Sequence, residues 1–154
     1  MILLKQLNSE DVSVKYLSWL NPDESPFIEY CKNNSTIKEL KNYVSEREKK
    51  SDILFLGIFT KNRQHIGNIK YEPIDFKKNT AVMGILIGDS NWRGKGVASE
   101  VIHSSAHYLA KKYQIETITL GVKKTNYAAQ STYKNIGFKI ERQIKDDILM
   151  TWLI

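Results

Sequence analysis

Ile85-Leu86-Ile87-Gly88-Asp89-Ser90-Asn91-Trp92-Arg93-Gly94-Lys95-Gly96-Val97-Ala98 is the stretch that decides how this chain folds. An apolar run gives way to a polar loop with two glycines, and a helical pattern opens directly from the second. Such a helix start leaves its first N–H groups unpaired and pointing outward. The helix dipole adds partial positive charge at the same place. Together they suit an anion such as a pyrophosphate. Gly94 and Gly96 keep side chains out of its approach, and Arg93 and Lys95 add charge. The spacing is not that of a dinucleotide fold, because Ser99 stands where a third glycine or alanine is wanted, and it lacks the Gly-Lys-Ser/Thr ending of a P-loop. Read alone, the stretch serves equally well as a tight strand-to-helix turn with no ligand.

Upstream, three strands are expected. Ile53 to Thr60 is apolar and β-branched, Lys61-Asn62-Arg63 turns it into His65 to Ile74, and Asp75 to Asn79 turns again into Ala81 to Ile87. Gly84 inside the last of these suggests a bulge or a close backbone approach. Before them, residues 1–7 read as a strand, and Ser9 to Leu20 as a helix with Ser9 as N-cap and Glu10 and Asp11 in its first turn. Two prolines, Pro22 and Pro26, then break the chain. Thr36-Ile37-Lys38-Glu39 is a capping-box pattern that starts a helix to about Lys50, with Ile37, Leu40, Tyr43 and Val44 on one face.

Downstream, a helix runs from Gly96 to about Lys112, with Ala98, Ile102, Ala106, Leu109 and Tyr113 on one face. Glu116 to Val122 alternates as a strand. Asn126 to Ile136 is a helix that Gly137 ends, and Phe138 to Ile140 with Ile148 to Ile154 forms a final hairpin. The order β-α-α-β-β-β-α-β-α-β-β predicts an α+β fold with a mixed sheet. No repeat, low-complexity tract or Pro/Gly-rich linker marks a boundary, so residues 1–154 are expected to form one domain.

The second informative segment is Asn126-Tyr127-Ala128-Ala129-Gln130-Ser131-Thr132-Tyr133-Lys134-Asn135-Ile136-Gly137-Phe138. An amphipathic helix with an Asn N-cap and a Gly C-cap accounts for every residue in it. Taken with the first segment, however, it resembles the GNAT superfamily of acetyltransferases. Arg93-Gly94-Lys95-Gly96-Val97-Ala98 matches the family's cofactor loop, Gln/Arg-x-x-Gly-x-Gly/Ala. Asn126, Ala129, Tyr133, Gly137 and Phe138 match its Asn-x-x-Ala-x-x-x-Tyr-x-x-x-Gly-Phe segment at the family's separation of one helix and one strand. Less specifically, Leu3-Lys5, Tyr16 to Asn21 and Ile66-Gly67-Asn68-Ile69 resemble the branch of ribosomal-protein N-terminal acetyltransferases, which has amino-sugar N-acetyltransferases among its similar members.

The resemblance implies a mostly antiparallel seven-stranded sheet, splayed between its fourth and fifth strands and flanked by about four helices. It implies acetyl-CoA as co-substrate and an amine as acceptor, by direct attack. An N–H near Leu86, Ile87 or Gly88 would polarise the thioester carbonyl, and Arg93, Gly94, Lys95, Gly96, Val97 and Ala98 would hold the pyrophosphate. Asn126 would bond the pantetheine arm, and Tyr133 would protonate the leaving thiolate. A non-catalytic acyl-CoA sensor on the same fold is the alternative, although a sensor has no need of a thiolate acid such as Tyr133.

The attacking amine must be neutral, and with a pKa of about 10.4 only roughly one molecule in a few thousand is so at pH 7. A general base is therefore expected. Glu72 and Asp89 are the candidates and Glu116 a weaker one, each competing with the reading of an exposed surface carboxylate. His103 and His107 lie one helical turn apart without a third ligand at suitable spacing, so no metal is expected. His65, beside a turn, is expected to be exposed.

Hydrophobic residues at 42% and charged residues at 26% are ordinary for a globular chain. A single cysteine, Cys31, excludes an internal disulfide and points to a reducing compartment. No apolar run approaches the about 20 residues that span a bilayer. The N-terminus lacks a signal-peptide pattern, so a cytoplasmic protein with no membrane partner is expected. The net charge of +6 favours anionic partners, but its lysines and arginines are scattered and no nucleic-acid motif accompanies them. A phosphorylated cofactor therefore suits it better than nucleic acid. The assembly expected is a monomer or a homodimer. Acceptor choice is expected to lie in Trp19 to Thr36, with Phe27 and Tyr30, and in the loop Pro73 to Asn79. There Asp23, Glu24, Glu29 and Asp75 stand against Lys32, Lys77 and Lys78, and the signals conflict.

Overall fold

The computed structural model describes residues 2–20 and 36–154. Cys31, Phe27, Tyr30, Asp23, Glu24, Glu29 and Lys32 lie outside the described residues. The strands are β1 (Ile2–Gln6), β2 (Leu54–Thr60), β3 (His65–Asp75), β4 (Thr80–Ile87), β5 (Thr117–Lys123), β6 (Lys139–Ile144) and β7 (Asp147–Leu153). The helices are α1 (Val14–Trp19), α2 (Ile37–Glu48), α3 (Val97–Tyr113) and α4 (Tyr127–Ile136). The strands form one sheet in the order β1-β2-β3-β4-β5-β7-β6. All neighbours are antiparallel except β4 and β5, which α3 connects as a parallel pair.

That pair places the site. β4 and β5 are in register only from Thr80↔Thr117 to Val82↔Thr119, near their starts. β4 continues to Ile87 on β3, and β5 continues to Lys123 on β7. Beyond Val82 the two strands therefore splay. Strand alternation decides what faces the gap. Ala81, Met83, Ile85 and Ile87 pack into the larger core cluster beneath α3, whereas Val82, Gly84 and Leu86 point to the other face. On β3, Ile69 and Tyr71 likewise enter that core, leaving Asn68, Lys70 and Glu72 on the open face. A smaller cluster of Leu7, Val12, Tyr16, Trp19, Leu20, Leu40, Val44 and Phe55 holds α1 and α2 over that face.

Four expectations are corrected. Ser9 to Leu20 is not one helix. Asn8 caps a short 3-10 turn, Ser9–Asp11, by accepting from Glu10 N while Asp11 bonds back to Asn8 N. Val12 is extended, and Ser13 then caps α1 anew. Gly84 carries no bulge and sits in register opposite Lys70. The irregularity falls between Tyr71 and Ile74, around Pro73, which has no N–H for the ladder. The buried face of α3 is Val97, Val101, Ile102, Ser105, Ala106 and Leu109, turned slightly from the predicted stripe, with Ala98 and Tyr113 half-buried. His65 is half-buried among the Tyr16, Trp19 and Phe59 rings rather than exposed.

Candidate active site

A pocket of about 480 Å³ opens where β4 and β5 splay, and β3, α1, α2 and α4 contribute to its walls. At its β4 side, backbone groups dominate. Gly88 N donates to Ile66 O at 2.9 Å, so Gly88 turns towards β3. Peptide directions alternate along a strand, so Leu86 N–H also faces β3, while Ile85 and Ile87 aim theirs at the gap left by β5. Of the three expected carbonyl-polarising residues, Ile87 alone is therefore suitably directed. Gly88 has a different reason to be glycine: a Cβ there would lie 2.0 Å from Trp19 Cδ2. That close approach presses α1 onto the end of β4.

The loop beyond follows the expected pattern with one difference. Gly94 and Gly96 have φ of 71° and 80°, in the left-handed region that costs other residues about 1–2 kcal/mol. A Cβ at either position would meet nothing within 4 Å, so conformation and open access are what the glycines supply. Gly96 precedes α3, no side chain caps that helix, and its first intrahelical bond is Glu100 N to Gly96 O. The N–H groups of Val97, Ala98 and Ser99 are thus without helical partners. Lys95 is exposed, its ammonium 5.6 Å from the Trp92 ring. Arg93 does not extend into the loop's concavity. Its Nε donates to Ile87 O at 2.8 Å and Nη2 to Gly88 O at 3.2 Å, closing the strand end.

Across the gap, Asn126 caps α4 by accepting from Ala129 N at 3.2 Å and also lines the pocket. Gln130, which carried no expected role, is buried and donates to Lys123 O and Lys124 O at 3.0 and 2.9 Å, fastening α4 to the end of β5. Two helical turns beyond Asn126, Tyr133 reaches the same pocket. Burial pushes its phenol up to about 12, so it is protonated at neutral pH.

The far wall belongs to β3 and α2. Glu72 lines it, but its carboxylate is engaged: Arg47 Nε lies 3.1 and 3.2 Å from its two oxygens, and Lys70 Nζ 3.4 Å from one of them. Lys70 also donates to the Tyr43 hydroxyl, and the Arg47 guanidinium stacks 3.4 Å from the Tyr43 ring centroid. The other candidate bases fall elsewhere. Asp89 is buried and bound by Lys15 Nζ at 3.0 Å, Gln64 Nε2 at 3.1 Å and Asn91 N at 3.0 Å. Burial raises its pKa, but these bonds outweigh it and hold the carboxyl below its usual value. Glu116 is exposed at the paired start of β5, away from the splay. The loop Pro73 to Asn79 contributes nothing to the pocket wall, and its Phe76 packs on Tyr113. His103 Nδ1 lies 2.8 Å from Ser99 O, its ring against Trp152. No helix among the described residues is long and apolar enough to cross a membrane.

Asn68, Tyr43, Arg47 and Lys70 are among the pocket residues, or partners of pocket residues, to which sequence reasoning gave no site role. Asn68 is buried beside His65, whose Nε2 lies 2.7 Å from Asn68 Oδ1 and 2.9 Å from Gly67 O. A carbonyl can only accept, so Nε2 carries the proton.

No curated protein matches the chain in sequence. Several solved structures share its fold. Spermidine N-acetyltransferase from Vibrio cholerae, in complex with CoA and spermine, superposes with a TM-score of 0.84 at 20% identity, over 99% of this chain and 95% of that one. The microcin C7 self-immunity acetyltransferase MccE, solved with acetyl-CoA and AMP, gives 0.84 at 17% identity, covering 99% and 92%. A domain from Methanocaldococcus jannaschii gives 0.82 at 15% identity, covering 100% and 99%. The family model of the acetyltransferase (GNAT) domain matches residues 2–139, and with the splayed parallel pair and the glycine loop in place, the chain belongs to the GNAT acetyltransferase family.

Proposed function

We propose that this protein is an N-acetyltransferase that moves the acetyl group of acetyl-CoA to a primary amine. The observation that carries the reading is the early end of the β4–β5 pairing, which leaves Ile85 and Ile87 N–H on the unpaired edge of β4, beside a pocket that Ile85 and Tyr133 line. The residues present fit the co-substrate. The Val97, Ala98 and Ser99 N–H groups, with Lys95, would hold a pyrophosphate, and the Asn126 amide would bond the pantetheine arm. Acetyl-CoA supplies the activated acyl group as a thioester.

The chain supplies electrostatics and proton positions. Ile87 N–H is directed to where negative charge develops on the carbonyl oxygen. The amine nitrogen bonds to the carbonyl carbon, the C–S bond breaks, and one amine proton leaves as the sulfur gains one. Tyr133, held protonated, donates a hydrogen bond to the departing sulfur. A phenol at about 12 lies above the about 8.5 of an ordinary thiol, so complete transfer from it is uphill until the amine's proton replaces its own. Glu72, shared between Arg47 and Lys70, is a compensated carboxylate and receives through water the proton that the acceptor's ammonium loses before it attacks, passing it on to solvent.

The structural neighbours support amine acetylation and leave acceptor identity to this chain's own pocket; a protein N-terminus, an amino sugar and a small amine are the acceptor classes within the reading. The test is thiol release from acetyl-CoA with a panel of primary amines. Acetylated amine in equal amount to free CoA supports it. A protein that binds acetyl-CoA but releases no CoA with any amine supports a sensor instead.

A further inference from the structure

We propose that the acceptor is an amine that also carries an anionic group, a carboxylate or a phosphate, which Lys70 and Arg47 recognise. This rests on the transferase reading and names the acceptor's class.

Lys70 is in register with Gly84, and Asn68 with Leu86, so the β3 side chains on the open face lie next to the β4 segment that ends in Ile87. Neighbouring strands are about 4.8 Å apart. An amine that reaches the β4 edge thus has its following atoms over Lys70. Gly84 leaves the floor between them bare, since no heavy atom lies within 4 Å of where its Cβ would stand.

Charge decides what those atoms are. Lys70 and Arg47 share one carboxylate, Glu72, so among the described residues this cluster has one positive charge in excess. The other charged residues of the pocket wall among those described, Lys123 and Asp147, form a pair 3.0 Å apart. The excess is held in place. Arg47 is fixed by stacking on Tyr43, by Glu72 and by its bond from Nη1 to Tyr43 O. Lys70 is fixed by Tyr43 and Glu72, with its ammonium 5.1 and 5.7 Å from the Tyr43 and Phe55 rings. Both side chains are about three-quarters buried, at 27% and 22% exposure, so solvent screens them less than surface charges. An ammonium has three donors and a guanidinium five, and these bonds do not exhaust them. A second ammonium on the acceptor, as in a polyamine, would meet like charge here, whereas a carboxylate or phosphate would complete the set.

The test uses matched amines that differ in one group: 4-aminobutyrate against putrescine, and glucosamine 6-phosphate against glucosamine. The expected kcat/KM is at least tenfold higher for the anionic member of a pair, and the pair that responds separates carboxylate from phosphate. Lys70→Met should bring the members of that pair to within about threefold, and Lys70→Glu should favour the cationic or neutral one. The rise in melting temperature with CoA should stay unchanged in both variants, which separates acceptor recognition from folding and cofactor binding. Equal rates within pairs, a preference for putrescine, or no turnover of any amine overturns the inference. Loss of the CoA response in the wild-type protein overturns the reading beneath it instead.

Discussion

The two ends of the candidate site, the cofactor loop and the pocket, are built from different materials. The end formed by β4, the glycine loop and the start of α3 presents peptide N–H groups: Ile85, Ile87, Val97, Ala98 and Ser99. The end formed by β3, α1 and α2 presents side chains: Tyr16, Tyr43, Asn68, Lys70 and Glu72. Backbone groups keep their chemistry whatever residue carries them, so the first end suits a ligand that never changes. Side chains can be exchanged one at a time, so the second suits a ligand that differs between relatives. Substitutions should therefore separate by end: loss of cofactor affinity at one, change of rate or acceptor at the other.

Gly96→Glu tests the separation hardest. It should fold, since a Cβ there meets no atom and the left-handed backbone costs only about 1–2 kcal/mol, but it places a carboxylate where a pyrophosphate is expected. CoA affinity should fall on the order of 10³-fold, from a like-charge term of about 4 kcal/mol at 4 Å and an effective dielectric of 20. The CoA dependence of the melting temperature measures it, and unchanged affinity would make the loop a mere turn.

Tyr133→Phe should act on rate alone. Its ring packs 5.8 Å from Phe138, and only the hydroxyl is removed. Single-turnover kinetics should show kcat lowered roughly 10²-fold with CoA affinity unchanged. A rate within about twofold of wild type leaves water as the proton source.

Gly84→Val fills the floor between the two ends. Valine suits a strand and has room, so the melting temperature of the free protein should not fall. CoA affinity or acceptor KM should worsen about tenfold, and titration of each ligand in turn tells which end the floor serves.

The smallest effect belongs to His65. Burial lowers its pKa; the bonds to Asn68 and Gly67 and the charge of Asp11 oppose this, and Lys15 adds to it. Its Nδ1 has no partner among the described residues. The unfolded chain then binds a proton at a higher pH than the folded one, so stability from this group is lost as pH falls below about 6.5. In His65→Gln, denaturant midpoints between pH 7 and 5 should fall less steeply. An unchanged slope would mean that the imidazole is charged where it lies.

The same division explains what the sequence disclosed. The cofactor end is local: a strand, two glycines and a helix start occupy Ile85 to Ala98 without interruption, and Asn126 and Tyr133 are two turns apart on one helix. Periodicity and turn chemistry therefore found the sheet, α2, α3 and α4 to within a few residues. The acceptor end is assembled from residues far apart in sequence. Arg47 and Glu72 are 25 positions apart and Tyr43 and Lys70 27, and neither pair leaves a pattern along the chain. The break at Val12 is not legible along the chain, because Asn8 and Ser13 both cap and spacing does not say that two caps divide one helix. The burial of His65 is not legible either, because the aromatic residues that cover it come from α1 and β2.

Both ends work together only if the gap between β4 and β5 receives acetyl-CoA. The most direct test is the melting temperature of the full chain with and without acetyl-CoA. At a concentration about 100 times Kd, binding to the native state alone should add about 2.7 kcal/mol. For a chain of this size that corresponds to a rise of roughly 5–10 °C. A melting curve that saturating acetyl-CoA leaves unmoved would mean that the gap does not receive it.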